Sequence, residues 1–365
     1  MDRVRYPVYR FPMKTRTLGR TGLEVGELGL GTEWLVGRDQ AVYDAVFRAA
    51  EDRGVTYVDV LFSYPAYRDA VGAAMRGIRD RFVLTGHIGC AETNGQYRKT
   101  RDRAECEALF EDLLRRLRTD HVDVVMIQFV DTERDYAQVM GKGGLYELAE
   151  RIRARDRAGA IGISVHDYAS ALRAAASGAY DVIMFPLSII LAPVPMEEIL
   201  GECERNRVGF VAMKPFGGGR LFRRREALGV APSHLAGYPL LDPRVSTVLA
   251  GVKSQEELEA AIEGVEDPPD RQTFERIAGQ LLTAGKGDCV YCNHCLPCPV
   301  QINIGETLMQ LDSAAGGLTA DLEAAYRKLG VPASACTACR VCEKRCPWSV
   351  PVVDRMKRAV EVFGF

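Results

Sequence analysis

Arg103-Ala-Glu-Cys-Glu-Ala-Leu-Phe-Glu-Asp-Leu-Leu-Arg-Arg-Leu117 is followed, four residues on, by Val122-Asp-Val-Val-Met-Ile-Gln-Phe129. The first run is amphipathic at helical period. The second is short, apolar and β-branched, as a buried strand is. The same pairing extends in both directions. Strands are expected at 27–31, 56–60, 82–87, 122–129, 160–164, 181–185, 209–213 and 247–251. Helices are expected between them, for example at 40–53, 103–117, 145–157, 168–176, 196–206 and 255–263. Eight strand–helix units in this order predict an α/β fold of the (β/α)8 TIM-barrel class over residues 14–283. Arg20-Thr21-Gly22 joins two short alternating segments ahead of the barrel and predicts a β-hairpin plugging its bottom. Ser254 with Glu257 forms a capping box at the start of the last barrel helix. The two prolines of 266–270 precede one more helix, and Gly285-Lys286-Gly287 links to a second unit, 284–365.

That second unit carries eight of the eleven cysteines in two matched runs. One is Cys289-x2-Cys292-x2-Cys295-x2-Cys298-Pro299; the other is Cys336-x2-Cys339-x2-Cys342-x3-Cys346-Pro347. Three thiolates at steps of three wrap one cubane cluster, and a fourth Cys followed by Pro ligates the other cluster. The runs therefore predict two cross-ligated [4Fe–4S] clusters. One takes Cys289, Cys292, Cys295 and Cys346; the other takes Cys336, Cys339, Cys342 and Cys298. The first run is one residue short of the usual spacing before its Cys-Pro. Zinc sites group their ligands in pairs with longer gaps. Disulfides require an oxidising compartment, and the charged N-terminal segment MDRVRYPVYRFPMK lacks an apolar signal core. A reduced cytoplasm is expected.

Composition narrows the function classes. A net charge of −2 gives no reason to expect a nucleic-acid partner. No apolar run reaches bilayer-spanning length, so no membrane is expected. From Cys336 onward six Lys/Arg (Arg340, Lys344, Arg345, Arg355, Lys357, Arg358) face three acids. That surface is either merely solvated or a docking face for an acidic electron carrier of the ferredoxin or flavodoxin type.

Thr17-Leu-Gly-Arg-Thr-Gly-Leu-Glu-Val25, Leu28-Gly-Leu-Gly-Thr32 and Gly54-Val-Thr-Tyr-Val-Asp59 resemble the opening of an aldo-keto reductase. The likeness continues through Leu117-Arg-Thr-Asp-His-Val-Asp123, Gly159-Ala-Ile-Gly-Ile-Ser164 and Gly251-Val-Lys-Ser-Gln-Glu-Glu-Leu258. With its tail the chain resembles the branch of that superfamily bearing a small, α-rich, ferredoxin-like 2[4Fe–4S] domain. The resemblance implies a catalytic tetrad of Asp, Tyr, Lys and His at the barrel mouth and a cofactor, NADP(H). Asp59 and Tyr64 match the first two, with Tyr64 the proton donor. The family's Lys falls on Gly86 and its His on Gln128. His87 lies next to Gly86 and, since adjacent strand residues face opposite sides, is expected in the site only if the strand ends or bulges there. The family's nicotinamide contacts fall on Ser164-Val165-His166, Met184 and Met213. Lys214 ends the seventh strand and stands as a replacement cation or an anion ligand. Lys253 and Ser254, at a helix N-terminus, match the phosphate site. Gly217, first of three glycines, starts a flexible loop above the mouth. Cys90 sits close enough to His87 to line the site, and Cys106 and Cys203 read as core. Tyr97-Arg98-Lys99 reads as a solvated loop, with contact to substrate or to the cysteine-rich unit as the other option.

Hydride moves two electrons at once and a cluster moves one, and no flavin fingerprint bridges them. The leading expectation is an iron–sulfur oxidoreductase acting on a hydroxyl- or carbonyl-bearing small molecule. A conventional NADP(H)-dependent reductase with structural clusters, a lyase or isomerase using Tyr64, Asp59 and His87, and a simple electron shuttle are the alternatives.

Overall fold

The computed structural model describes residues 13–191, 196–219, 221, 229–280, 287–291 and 293–365. A hairpin of β1 (Thr15–Thr17) and β2 (Glu24–Gly26) opens the chain. Then come β3 (Leu28–Gly31), α1 (Gln40–Arg53), β4 (Tyr57–Val60), α2 (Pro65–Ala74) and β5 (Val83–Ile88). A second hairpin, β6 (Cys90–Thr93) and β7 (Gln96–Lys99), precedes α3 (Arg103–Leu117) and β8 (Val122–Ile127). The barrel continues through α4 (Glu133–Met140), α5 (Leu145–Ala154), β9 (Ala158–Ser164), α6 (Tyr168–Ala176) and β10 (Val182–Pro186). It ends with α7 (Met196–Asn206), β11 (Gly209–Met213), β12 (Val245–Gly251) and the helices Gln255–Glu266 and Arg271–Gln280. Eight parallel strands close in the order β10-β11-β12-β3-β4-β5-β8-β9.

The pleat sorts the side chains. One set of strand residues (Tyr57, Val124, Met126, Ala160, Val182, Met184, Val211, Met213 and Leu249) fills the barrel axis. The alternate set, with Val58, Leu84, Val125, Ile161, Ile183 and Phe210, packs outward against the helices. Leu18 and Val25 of the first hairpin join the axial cluster and close the bottom. At Gly19 the backbone is left-handed (φ 55°), and a Cβ would stand 2.1 Å from the amide nitrogen of Gly209, so only glycine permits this closure. The Ser254 hydroxyl accepts from Glu257 N–H at 3.4 Å, as the capping box requires, whereas the Glu257 carboxylate reaches one residue beyond the cap and accepts from Lys253 N–H at 2.8 Å.

Helix 145–157 is over-long as read from sequence: α5 stops at Ala154 and the chain turns through Asp156 (φ 56°). The expected loop at Tyr97-Arg98-Lys99 is instead strand β7. None of the helices among the described residues is long and apolar enough to cross a membrane.

Residues 287–365 form an α-rich unit with its own core, built on helices Ile304–Ser313, Ala320–Arg327, Val341–Arg345 and Val352–Phe363. Tyr326 stacks on Phe363 at 4.0 Å, and Asp312 pairs with Arg355 and accepts from the Tyr291 hydroxyl at 2.5 Å. The expected boundary at 283/284, with Gly285 and Lys286 of its linker, lies outside the described residues.

The unit sits on the C-terminal mouth of the barrel. Buried Gln96, on the β6–β7 hairpin, grips it with both ends of its amide: Nε2 donates to Ile302 O at 3.0 Å, and Oε1 accepts from Cys298 N–H at 2.8 Å. Trp348 packs into a cluster with Ile189, Ile190, Leu221, Leu235 and Phe274. Removing the amide would leave two buried backbone groups without partners, at about 1–3 kcal/mol each. Gln96→Ala is therefore expected to destabilise the seat of the unit by roughly 2–4 kcal/mol. Anaerobic denaturant titration checks this: the midpoint of the C-terminal unit should fall, and an unchanged midpoint would show that the amide is not its clamp.

Candidate active site at the barrel mouth

The axial side chains at the C-terminal strand ends line one pocket with those of the loops above them. Its walls include Glu33, Asp59, His87, Tyr97, Gln128, Ser164, His166, Lys214 and His294, over a floor of Leu61, Met184, Met213 and Leu249. Such a mouth is where barrels of this class place chemistry.

Asp59 and His87 come from neighbouring strands whose pairing sets Asp59 beside Thr85 and Val60 beside Gly86. Both side chains point inward, and His87 Nε2 lies 2.7 Å from Asp59 Oδ1. Both are almost wholly buried. His87 Nδ1 has no hydrogen-bond partner among the described residues. A carboxylate on Nε2 fixes the tautomer with its proton there and leaves Nδ1 able to accept one. No bulge is needed, contrary to the sequence expectation. A Cβ on Gly86 would strike Leu113 Cδ2 at 2.4 Å, so position 86 faces outward to α3. Plain alternation puts His87 inside.

Glu33 adds a second carboxyl. Burial pushes it above the usual range, the Lys214 ammonium pulls it back, and Asp59 pushes it up further. Its oxygens pack where Gly31 and Gly251 lack side chains, 2.9 and 2.8 Å from the would-be Cβ positions. Lys214 holds a left-handed backbone (φ 59°), as does Phe129 (φ 62°) beside Gln128. Such non-glycine outliers concentrate at functional sites. Gln128 is buried, with Oε1 lacking a partner among the described residues. It offers an amide to a substrate oxygen.

Tyr64 is the main correction. It is absent from the pocket lining; it precedes α2, whose first residue is Pro65, and its ring packs on Phe62 at 5.1 Å. Burial pushes its hydroxyl up to about 12, the wrong direction for proton transfer near neutral pH. Phe62 in turn abuts Tyr97 edge-on at 5.0 Å, and Tyr97 supplies the pocket's tyrosine. Cys90 is buried outside the pocket, with burial pushing its thiol up to about 12.

The expected phosphate cradle is otherwise engaged. Lys253 lies over the Trp34 ring at 5.1 Å and bears on the half-buried Glu306 of the cysteine-rich unit, whose carboxyl is raised by burial and lowered by Lys253. Ser254 is the cap of its own helix. Gly217 (φ 58°) does not line the pocket, and a Cβ there would meet Ile190 at 2.5 Å. A Cβ on Gly218 would meet Val290 O at 2.4 Å. The three-glycine loop thus makes room for the cysteine-rich unit. Of the expected cofactor positions, Ser164, His166, Met184 and Met213 line the pocket, while Val165, Lys253, Ser254 and Gly217 do not.

Glu33 and His294 escaped the sequence reading; His166 entered it only as one of the family's nicotinamide-contact positions, and Tyr97 as a solvated-loop residue with substrate contact as the other option. His166 follows β9, and His294 lies between two cysteines of the first run, so both stood at informative places. Asp131, just after β8, accepts from His166 N–H at 2.5 Å and stands 2.8 Å from His294 Nε2. Burial opposes the ionised form of Asp131, but the two imidazoles hold it well below the usual carboxylate range. Burial, and then His294, drive His166 down to about 4.

The cysteines gather around two adjoining cavities. One is lined by Cys298, Cys336, Cys339, Cys342 and Cys295 among Val300, Ile302, Val353 and Met356. The other is lined by Cys289, Cys295 and Cys346 among Val290, Leu308, Trp348 and Val350. Cys292 lies outside the described residues. No disulfide joins the described cysteines. Left-handed residues, Tyr291 and Asn293 in one run and Ala338 and Arg340 in the other, coil each loop. Backbone N–H groups of Tyr291 and Val350 point at Cys289 Sγ and Cys346 Sγ at 3.4 and 3.5 Å. Cys339 is exposed beside exposed Arg340, Lys344 and Arg345.

The family profile described as aldo/keto reductase family matches residues 23–234. The aldo-keto reductase YhdN of Bacillus subtilis is 31% identical over 158 residues, 39% of this chain and 46% of that protein. The chain thus spans about half the length of the curated relative it matches. Among solved structures, the aldo-keto reductase AKR11C1 of Bacillus halodurans, in its holo form, superposes with a TM-score of 0.63 at 23% identity, over 74% of this chain and 96% of that one. PA4992 of Pseudomonas aeruginosa, titled a putative aldo-keto reductase, superposes with a TM-score of 0.57 at 23% identity, over 69% of this chain and 94% of that one. These two likenesses speak for the fold. With the family profile covering more than half of the sequence and the barrel closing in the expected order, the chain belongs to the aldo/keto reductase family.

Proposed function

We propose that this chain is an iron–sulfur oxidoreductase of the aldo-keto reductase type, acting on a small molecule that bears a hydroxyl or carbonyl group. The observation that carries the reading is His294. It lies between Cys292 and Cys295 and also lines the pocket that holds Asp59 and His87. The cysteine-rich unit and the barrel mouth thereby share one site.

In this reading His87 moves the proton. Asp59 holds its Nε2–H, and Nδ1 exchanges a proton with the substrate oxygen. Gln128 and Tyr97 orient that oxygen, and Glu33 and Lys214 set the local charge. The methionine and leucine floor excludes water.

The thiol sets fit two [4Fe–4S] clusters. Cys298 faces the cavity of Cys336, Cys339 and Cys342, and Cys346 faces that of Cys289 and Cys295, which is the crossed arrangement the spacing predicts. The N–H groups directed at sulfur suit thiolate ligands. Two clusters held there would supply or accept the two electrons that separate an alcohol from its carbonyl; of the two protons that move with them, His87 exchanges the one at oxygen, and the raised carboxyl of Glu33 in the same pocket exchanges the one at carbon. The exposed cation group around Cys339 supports docking of an acidic carrier of the ferredoxin or flavodoxin type.

The residues do not fit NADP(H). Met184, Met213 and Val165 offer no amide partner to a nicotinamide, Lys253 is engaged by Trp34 and Glu306, and the glycine loop is filled by Val290.

Two outcomes are expected. Anaerobic assay should give about eight iron and eight sulfide per chain, since a cubane holds four of each. Cys298→Ser and Cys346→Ser should each remove about half and leave spectroscopically different remainders; stoichiometric zinc, or about four irons in the parent, would defeat the cluster reading. NADPH oxidation with a panel of small aldehydes and ketones should stay near background, whereas a chemically reduced carrier should support turnover. In that assay His87→Gln should cost about 10²–10⁴ in rate, and Tyr64→Phe should stay within about threefold. Several NADPH-dependent turnovers per second would return the conventional reductase to first place.

A further inference from the structure

The seam between barrel and cysteine-rich unit holds a cluster that the proposed chemistry does not use. Asp131 follows β8, His166 follows β9 and His294 comes from the first cysteine run. One ligand atom from each lies within 4.8 Å of those of the other two. The side chains of His166, Asp131 and His294 are 7%, 9% and 8% exposed. The two imidazole rings meet edge to face at 4.4 Å, and Phe129 closes on His294 at the same distance.

Hydrogen bonding accounts for only part of this. Asp131 Oδ2 lies 2.8 Å from His294 Nε2, and Oδ1 accepts the His166 backbone amide. The His166 side chain is left over. Its Nδ1 stands 3.5 Å from Asp131 Oδ1, too far for a hydrogen bond, and its Nε2 has no partner among the described residues. A buried imidazole with an unused nitrogen, held beside a carboxylate and a second imidazole, is what a metal site looks like without its ion.

We propose that Asp131, His166 and His294 bind one divalent first-row transition-metal ion, separate from the cysteine-ligated clusters and open to the barrel-mouth pocket. Two imidazoles and one carboxylate form the donor set favoured by zinc, ferrous iron, cobalt and manganese. Magnesium and calcium prefer all-oxygen shells. Three protein ligands leave coordination positions for water or a substrate oxygen, and His166 and His294 both line the pocket with Gln128 and Lys214. The three-residue site stands apart from the proposed oxidoreductase chemistry; only the conditions of its test rest on the cysteine-bound clusters of that reading. The site needs three separate chain segments brought together, which is why no local spacing motif announces it.

The test uses the full chain, anaerobically purified with its clusters in place so that the cysteines are occupied. Mn²⁺ is titrated in and the free ion followed by electron paramagnetic resonance, with Zn²⁺ as a competitor. One Mn²⁺ per chain is expected to bind saturably and to be displaced by Zn²⁺. His166→Gln and Asp131→Asn should each weaken binding at least tenfold while the cluster absorbance and the cysteine-bound iron stay at parent values. Absence of saturable binding, or binding that survives both substitutions, overturns the site. Should one variant lose its clusters, the other, on a different loop, still decides the matter.

Discussion

A closed barrel gives each strand residue one of two fates, and that constraint decides everything at the mouth. The pleat sends Tyr57 and Asp59 inward on one strand and Thr85 and His87 inward on the next. The lower pair of rungs is a hydrogen bond between Thr85 and Tyr57 at 2.7 Å, and the upper pair is the His87–Asp59 contact. The dyad therefore rests on a polar rung beneath it, and neither member can turn away without exchanging the two faces of its strand. Glu33, Gln128 and Lys214 inherit their places from the same closure, each at or just beyond a strand end.

On this scaffold the cysteine-rich unit acts as part of the barrel wall. Gln96, Trp348, Gly218 and His294 tie it down at four separate places. It fills ground that the family resemblance assigns to a dinucleotide, and it contributes a pocket residue in return. In the function proposed above, that exchange brings single-electron chemistry and substrate chemistry to one opening.

Much of the barrel was legible because parallel strands buried on both faces are written as unbroken apolar runs. All eight fall within two residues of their expected starts or ends. Helix α2 was expected as a connection but without bounds, since Pro65, which opens it, reads equally as a turn. The β6–β7 hairpin was hidden by its polar residues, of which Gln96 finds its partners some 200 positions away in sequence. His87 was visible as a candidate, yet aligning the family's lysine to Gly86 suggested the wrong face; the neighbouring Leu113, which fills the space outside Gly86, belongs to a helix no local pattern could connect to it. Tyr64 shows the opposite case. Its spacing from Asp59 fitted the family, but its ring packs on Phe62, which in turn abuts Tyr97, and it is absent from the pocket lining.

The grip of Gln96 on Ile302 O and Cys298 N–H has a hereditary consequence. It reads main chain alone, so the side chains it holds are free to drift while the path of the chain is not. Val290 O against Gly218 imposes the same rule from the other side. Among descendants of this architecture, insertions or deletions between 290 and 302 should be rarer than substitutions there, and a barrel should accept the C-terminal unit of a distant cousin more readily than a one-residue change in that unit's loop length.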